Sequence, residues 1–336
     1  MSTAVRIEVE ESSRTAEARR TARTMALELG MDEGSAEQVA IVATEACTNL
    51  LKHANRGQIL LQTTTEGSEA TPLLELLAVD QGPGMENLDQ CLRDGYSTGS
   101  SSGQGLGAIQ RMSKQSDIYT VSGKGTVVLA RWWRSQNGWK PAPEGRIGAV
   151  NVSKPGEEVC GDSWGYARSD QALVILVADG LGHGLDAKLA SGEAVRQLYE
   201  NADLPPKALL TRVHQALRST RGAAVAIAHI DSVRGKLTYA GVGNIAARIY
   251  AGSEGRQNLV SLNGTAGHQC ERIQEFSYSW PENGLLILHS DGLSTGTGLE
   301  SYPGLAARDP ALIAAVLYRD FSRGRDDATV VVLKAA

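Results

Sequence analysis

The stretch LVILVADGLGHG, Leu173–Gly184, decides the fold of the second half of the chain. The apolar run Leu173–Ala178 reads as a buried strand, Asp179 ends it, and Gly180–Gly184 form a glycine-rich loop. A helix is expected over about Leu185–Glu200. A carboxylate set directly after buried-type residues must be paired or bind a metal to offset its desolvation. Three further stretches repeat the arrangement. Asp162 follows Gly161 before a strand, Asp291 ends LLILHS, and Asp326-Asp327 precedes the final strand. Any one Asp-Gly is also a common turn. Taken together, the carboxylates suit hard cations such as Mg²⁺ or Mn²⁺, which take oxygen ligands. No His/Cys cluster supports zinc. His183 reads as a turn or cap residue, with proton donation as the other reading.

Outward from this stretch, strands are expected at Ile147–Ser153, Asp162–Ala167, Ala223–Asp231, Lys236–Gly241, Asn244–Tyr250, Gly284–Ser290 and Thr329–Lys334. A second helix is expected at Pro205–Ser219. The loop Asn263–His268 reads as a plain turn or as a docking element. The segment Arg134–Gly145, RSQNGWKPAPEG, is polar and turn-rich and reads as a linker. The expected division is residues 1–137, a linker at 138–145, and residues 146–336.

The first half carries a different pattern. Val5–Val9 reads as a strand, Ser13–Leu29 and Ala36–His53 as helices, and Ile59–Thr64 and Leu73–Asp80 as strands. A helix at Ala108–Ser116 and a hairpin of Asp117–Val121 with Thr126–Trp132 close the unit. On the second helix Glu45, Asn49 and His53 fall at i, i+4 and i+8, on one face. Asn can give an oxygen to Mg²⁺ and Glu can deprotonate a nucleophile; solvation of a surface helix is the other reading. DQGPG at Asp80–Gly84 follows a strand, so Asp80 can accept from an adenine amino group while Gly82 and Gly84 bend the backbone. GQGLG at Gly103–Gly107 enters a helix and can wrap phosphates. It lacks the Lys-Ser/Thr of a P-loop and follows no early βαβ strand, which excludes the dinucleotide fold.

Composition limits the classes. The chain has 336 residues, formal net charge −5 and 37 glycines. An acidic chain with few aromatics and no basic stripe is not a nucleic-acid binder. Cys47, Cys91, Cys160 and Cys270 are scattered, and no apolar run is of bilayer or signal-peptide length, which predicts a cytoplasmic protein with no membrane partner.

These motifs carry two resemblances. EACTNLLKHA at Glu45–Ala54, DQGPG, GQGLG and Gly125-Thr126 resemble the GHKL-type ATPase domain of bacterial anti-sigma-factor serine/threonine kinases. That implies ATP with Mg²⁺, with Asn49 on the metal, Glu45 as base and Asp80 on adenine. Thr126 would line the base pocket, and Gly82, Gly84, Gly103, Gly105 and Gly107 would shape the nucleotide cradle. GEEVCGDSWG (Gly156–Gly165), VADGLGHG (Val177–Gly184), RGAAVAIAHID (Arg221–Asp231), YAGVGN (Tyr239–Asn244), LHSDGL (Leu288–Leu293) and GRDDATVVVL (Gly324–Leu333) resemble the SpoIIE/stress-regulator branch of the PPM, or PP2C-like, phosphatases. That implies two Mn²⁺ or Mg²⁺ ions held by Asp162, Asp179, the Gly180 carbonyl, Asp291 and Asp327, with Asp326 adjacent. Larger relatives grip phosphate with an arginine, for which Arg146 is the nearest candidate. The fold class implied is α+β: a GHKL-type α/β sandwich followed by a PPM-type β-sandwich flanked by helices.

The implied function is a metal-dependent phosphoserine/phosphothreonine phosphatase of a partner-switching pathway that controls a sigma factor through a phosphorylated STAS-type protein. The first domain would phosphorylate or bind the same partner, and relatives of it often form homodimers. The competing reading makes the first domain a non-catalytic module and the chain a scaffold that sequesters a regulator.

Overall fold

The computed structural model describes residues 3–54, 57–66, 71–92, 105–134, 147–168, 172–251, 255–294, 296 and 298–335. They fall into two compact units, and the division is not a single cut. Ser2–Ala142 and Leu299–Arg319 form the first; Pro143–Gly298 and Asp320–Ala336 form the second.

The first unit is a five-stranded sheet with its N-terminal helices on one face and the segment Leu299–Arg319 on the other. Its strands are β1 (Val5–Glu8), β2 (Gly57–Glu66), β3 (Thr71–Asp80), β4 (Gln115–Val121) and β5 (Gly125–Trp133). They are ordered β1-β2-β3-β5-β4, each pair antiparallel. Helix α1 (Ser13–Glu28) buries Ala18, Ala22 and Ala26 at four-residue spacing, one side of the helix, which lets it pack closely on α2 (Glu33–His53). The sequence predicts α2 from Ala36. The helix begins at Glu33 because the Asp32 carboxylate accepts from the Ser35 N–H at 2.8 Å and caps it. Two short helices follow, α3 (Leu88–Cys91) and α4 (Gly105–Met112). The expected helix Ala108–Ser116 is displaced toward the N-terminus. Lys114 donates its N–H to the Arg131 carbonyl, and Gln115 already pairs with Arg131 in the sheet.

Alternation along the central strands sends Ile59, Leu61, Leu74, Leu76, Ala78, Val128 and Ala130 into the core with the helices. The opposite face carries Leu60, Leu73, Glu75, Leu77, Val79, Val127, Leu129 and Arg131, and these are buried too. The segment Leu299–Arg319 explains why. Tyr119 donates to the Pro303 carbonyl at 3.2 Å, Lys124 to that of Ser301 at 3.0 Å, and Tyr318 to Gln58 at 3.3 Å. Arg131 makes a bidentate pair with Asp309 at 2.5 and 2.8 Å and reaches Glu75 at 2.5 Å. Gln62 donates to the other Glu75 oxygen at 2.7 Å. The last ten residues of the segment open α7 (Pro310–Phe321), which is buried from Pro310 to Arg319. Helix α7 is absent from the sequence reading because it is apolar all round and shows no amphipathic period.

The second unit is a sandwich of two antiparallel sheets. Its strands are β6 (Ile147–Val152), β7 (Asp162–Arg168), β8 (Leu173–Gly180), β9 (Ala223–Asp231), β10 (Lys236–Val242), β11 (Ala246–Tyr250), β12 (Arg256–Asn258), β13 (Phe276–Ser279), β14 (Leu285–His289) and β15 (Ala328–Lys334). One sheet runs β13-β10-β9-β8-β7 and the other β12-β11-β14-β15-β6. Trp164, Ile175, Val177, Ala226 and Tyr239 from the first pack with Ile249, Leu286, Leu288 and Val331 from the second. Helices α5 (Leu185–Glu200) and α6 (Pro206–Ala216) cover the outer face of the first sheet through Ala190, Ala194, Leu198, Leu209 and Val213. The edge strands β12 and β13 are polar and short, and the sequence reading has neither. All four cysteines are free thiols. Among the described residues no helix is long and apolar enough to cross a membrane.

Candidate functional site

In the first unit a cavity of about 420 Å³ opens between α2, α4 and the ends of β3 and β5. It falls within the size range of small-molecule sites. Asn49, His53, Asp80, Gly84, Gly105 and Thr126 line it. Asp80 is fixed at the end of β3: its Oδ1 accepts from the Gly82 N–H at 2.7 Å and the Thr126 N–H at 3.1 Å. Burial pushes its carboxyl above the ordinary aspartate range, and those two N–H groups oppose the shift. A Cβ on Gly82 would lie 2.5 Å from the His53 carbonyl, and one on Gly84 2.2 Å from that of Val121. Gly84 also has φ of 70°, so glycine is required there on both counts.

Gly105 opens α4 directly against Asn49, where a Cβ would lie 2.9 Å from Oδ1. Gly107 is buried within α4. The Asn49 Nδ2 is buried with no hydrogen-bond partner. A buried amide left unsatisfied in a cavity wall fits a polar ligand. Glu45 is half-buried one turn before Asn49 and is not among the described residues that line the cavity. Gly103 and the rest of the Tyr96–Gly103 stretch lie outside the described residues, as does Arg146.

In the second unit the acidic positions converge from four elements. Asp162 and Asp179 are direct cross-strand partners on β7 and β8, so both side chains leave the same face of the sheet. Asp291 follows β14 and accepts from the Asn244 amide at 2.7 Å. Asp327 precedes β15; its Oδ1 accepts from the Lys154 N–H at 2.8 Å, and the Asp326 carboxylate takes the N–H of Asp327 at 3.0 Å. Asp162 takes hydrogen bonds from the hydroxyls of Ser290 and Thr329. One oxygen on each of Asp162 and Asp327, the Oδ2 atoms, is buried with no partner.

Gly161 and Gly292 hold the chain close here: a Cβ on the first would lie 2.7 Å from Asp327 Oδ2, and on the second 1.9 Å from the Asp327 carbonyl. Gly180 packs on α5, where a Cβ would lie 2.1 Å from the Ala187 carbonyl. His183 is exposed and pairs with Glu157 at 2.6 Å, which serves the loop. Asn244, Ser290 and Thr329 each stand inside one of the motifs above but carry no local signal of their own, because their partners come from other elements.

The electrostatics of this cluster are those of stacked like charge. Burial, and then the charges of Asp162, Asp291, Asp326 and Asp327, push the Asp179 carboxyl up to about 9. Burial pushes Asp162 up to about 7, against its two hydroxyl donors and with the charges of Asp327 and Asp291. Asp291 is raised by burial and by Asp326, with Arg323 opposing. No three His, Cys, Asp or Glu side chains among the described residues stand close enough to form a finished metal shell. The carboxylates act on one another at longer range, and the two orphaned oxygens fit a divalent cation that would draw them together.

The family model for stage II sporulation protein E, SpoIIE, matches residues 169–336, half of the chain. The chain belongs to the SpoIIE family. A histidine kinase-like ATPase domain matches residues 9–132. The chain therefore joins a PP2C-like phosphatase domain to an N-terminal GHKL-type ATPase domain, as the motifs imply. Two proteins of Bacillus subtilis (strain 168) resemble the two halves. The phosphoserine phosphatase RsbX is 29% identical over 144 residues, 43% of this chain and 72% of RsbX. The serine/threonine-protein kinase RsbT is 29% identical over 116 residues, 34% of this chain and 86% of RsbT. Among solved structures, a chain from the bacterial stressosome superposes with a TM-score of 0.53 at 26% identity, covering 56% of this chain and 99% of that one. RsbX in complex with magnesium superposes at 0.51 and 22% identity, covering 59% of this chain and 98% of that one, a likeness of fold.

Proposed function

We propose that the second unit hydrolyses phosphoserine or phosphothreonine on a STAS-type regulator protein, using two Mn²⁺ or Mg²⁺ ions held by Asp162, Asp179, the Gly180 carbonyl, Asp291 and Asp327. The observation that carries this reading is the pair of buried, partnerless oxygens on Asp162 and Asp327 within a cluster of mutually repelling carboxylates. Bound ions would supply Lewis acidity and a water activated for attack on phosphorus. The chain's own part is to aim the ligands. Ser290 and Thr329 orient Asp162, the Lys154 N–H orients Asp327, and Asn244 orients Asp291. Asp326 steadies the backbone at Asp327.

The first unit binds ATP with Mg²⁺, with Asn49 toward the metal, Asp80 and Thr126 at the base, and Glu45 as the base that activates the acceptor hydroxyl. It phosphorylates the same class of regulator. The test is to incubate the protein with a STAS protein and its phosphorylated form, with and without Mn²⁺ and ATP, following phosphate by intact mass. Metal-dependent loss of phosphate is expected; none on any phosphoserine or phosphothreonine protein overturns the phosphatase reading. Phosphate gain that survives Glu45→Ala overturns the role given to Glu45, and partner binding without any phosphate gain favours a non-catalytic first unit.

A pH dependence follows from the raised carboxyls. With folded values of about 7 and about 9 for Asp162 and Asp179, the metal-free folded state holds protons that the unfolded chain releases near ~4. Their contribution to its stability is fullest below that point and is lost as pH rises toward 9. A cation binds only the ionised carboxylates, so its stabilisation grows over the same interval. The rise in Tm on adding Mg²⁺ is expected to be several degrees larger at about pH 8.5 than at about pH 5.5. An equal rise at both would contradict the assigned ligand set.

A further inference from the structure

The last turn of α7 meets the end of β3 at Asp80, a residue that lines the cavity, although α7 itself does not line it. The Arg319 guanidinium donates to the backbone carbonyl of Asp80 at 3.4 Å, and the Gln81 side-chain amide donates back to the Arg319 carbonyl at 3.2 Å. The two bonds cross, so the end of β3 and the end of α7 hold each other at two points. Arg319 is buried, at 7% exposure, whereas Gln81 is exposed. Asp80 is thereby fixed from two directions. Gly82 and Thr126 hold its carboxylate, and Arg319 holds its carbonyl. Gly125 completes the clamp, since a Cβ there would lie 2.1 Å from that same carbonyl.

We propose that Arg319 is a positioning residue of the nucleotide pocket, setting the purine selectivity of the first unit through Asp80 although it lies far along the chain in the phosphatase half of the sequence. The inference rests on reading the cavity as an adenine-nucleotide site. A carboxylate selects adenine over guanine by accepting from the exocyclic amino group, where guanine offers a carbonyl. That selection requires the oxygen to stand within a few tenths of an ångström of its place. A residue that fixes the carboxylate's own backbone therefore acts on base selectivity more than on phosphate affinity, which belongs to α4 and Asn49. The positive charge of Arg319 also favours the ionised form of Asp80.

The test measures Kd for fluorescent ADP and GDP at fixed Mg²⁺ on the full chain and on Arg319→Ala, Arg319→Lys, Gln81→Ala and Asp80→Asn. The wild-type chain is expected to prefer ADP and Asp80→Asn to lose the preference, which tests the pocket reading by itself. Arg319→Ala is expected to reduce the ADP-over-GDP ratio roughly tenfold, the scale of one hydrogen bond from a charged donor, with GDP affinity little changed. Arg319→Lys is expected to restore most of the ratio. Gln81→Ala, at an exposed side chain that leaves the fold intact, is expected to reduce it by roughly threefold. An unchanged ratio in both Arg319→Ala and Gln81→Ala, or equal weakening of ADP and GDP, overturns the inference while leaving the pocket reading standing. A wild-type chain with no preference overturns both.

Discussion

Asp179→Asn is expected to remove metal-dependent phosphate release while making the metal-free protein more resistant to heat. The loss of activity should exceed the roughly 10–100-fold that removing an outer-shell partner of a metal ligand costs. The opposite sign on stability follows from the cluster. The wild-type carboxyl, pushed up to about 9 by burial and four neighbouring carboxylates, is costly to the folded state wherever the unfolded chain ionises freely. An asparagine of the same shape carries no charge in either state and removes that cost. At about pH 8 a rise in Tm of several degrees is expected in the presence of a chelator, and a fall when Mg²⁺ is present. Thermal unfolding with and without the ion, beside a phosphate-release assay, reads both halves. A variant that is inactive and also less stable without metal would mean that Asp179 is structural.

Arg131→Met is expected to produce the largest loss of stability in the first unit. Arg131 stands between Glu75 and Asp309, all three side chains nearly inaccessible to water. Removing the cation leaves two carboxylates facing each other in a dry interface, a loss of about 3–5 kcal/mol, or a fall in Tm of roughly 10 °C. The triple substitution Glu75→Leu, Arg131→Met, Asp309→Leu removes the charges together and should recover part of that loss, short of what Gln62, Gln115 and the Ala311 N–H lose as donors. If the single and triple variants unfold at the same temperature, the triad contributes shape rather than compensated charge. Trp132 and Trp133 end β5, so their fluorescence follows this unit once Trp164 and Trp280 of the second unit are replaced by phenylalanine.

What the sequence discloses follows local chemistry. Asp162, Asp179, Asp291 and Asp327 are legible because each ends or begins an apolar run, and such a carboxylate has few reasons to be there. Asp80 is legible in the same way, at a strand end beside glycines, and Asn49 by its spacing with Glu45 and His53 on one helix face. The supports are not: Lys154 acts on Asp327 through a backbone N–H, which any residue but proline could supply. Ser290 and Thr329 are ordinary strand-end hydroxyls until the sheets close. The start of α2 at Asp32 is a capping signal passed over in favour of the apolar period. Helix α7 is the deepest omission. Its uniform apolarity, PALIAAVLYR, erases the period that marks a one-sided helix, and only the chain's return to the first unit shows which surfaces it buries.

That return has a genetic consequence. A fusion of two neighbouring reading frames normally leaves each product separable at the seam. Here a gene split in the linker would give a first product whose sheet bares Leu60, Leu77 and Leu129 and strands Arg131 without Asp309. Such a fragment would be sticky rather than soluble, and the complementary fragment would carry an apolar helix with no sheet to cover. Selection acting on either half therefore acts on both, and fission of this gene is closed off by the twenty-odd residues that cross back.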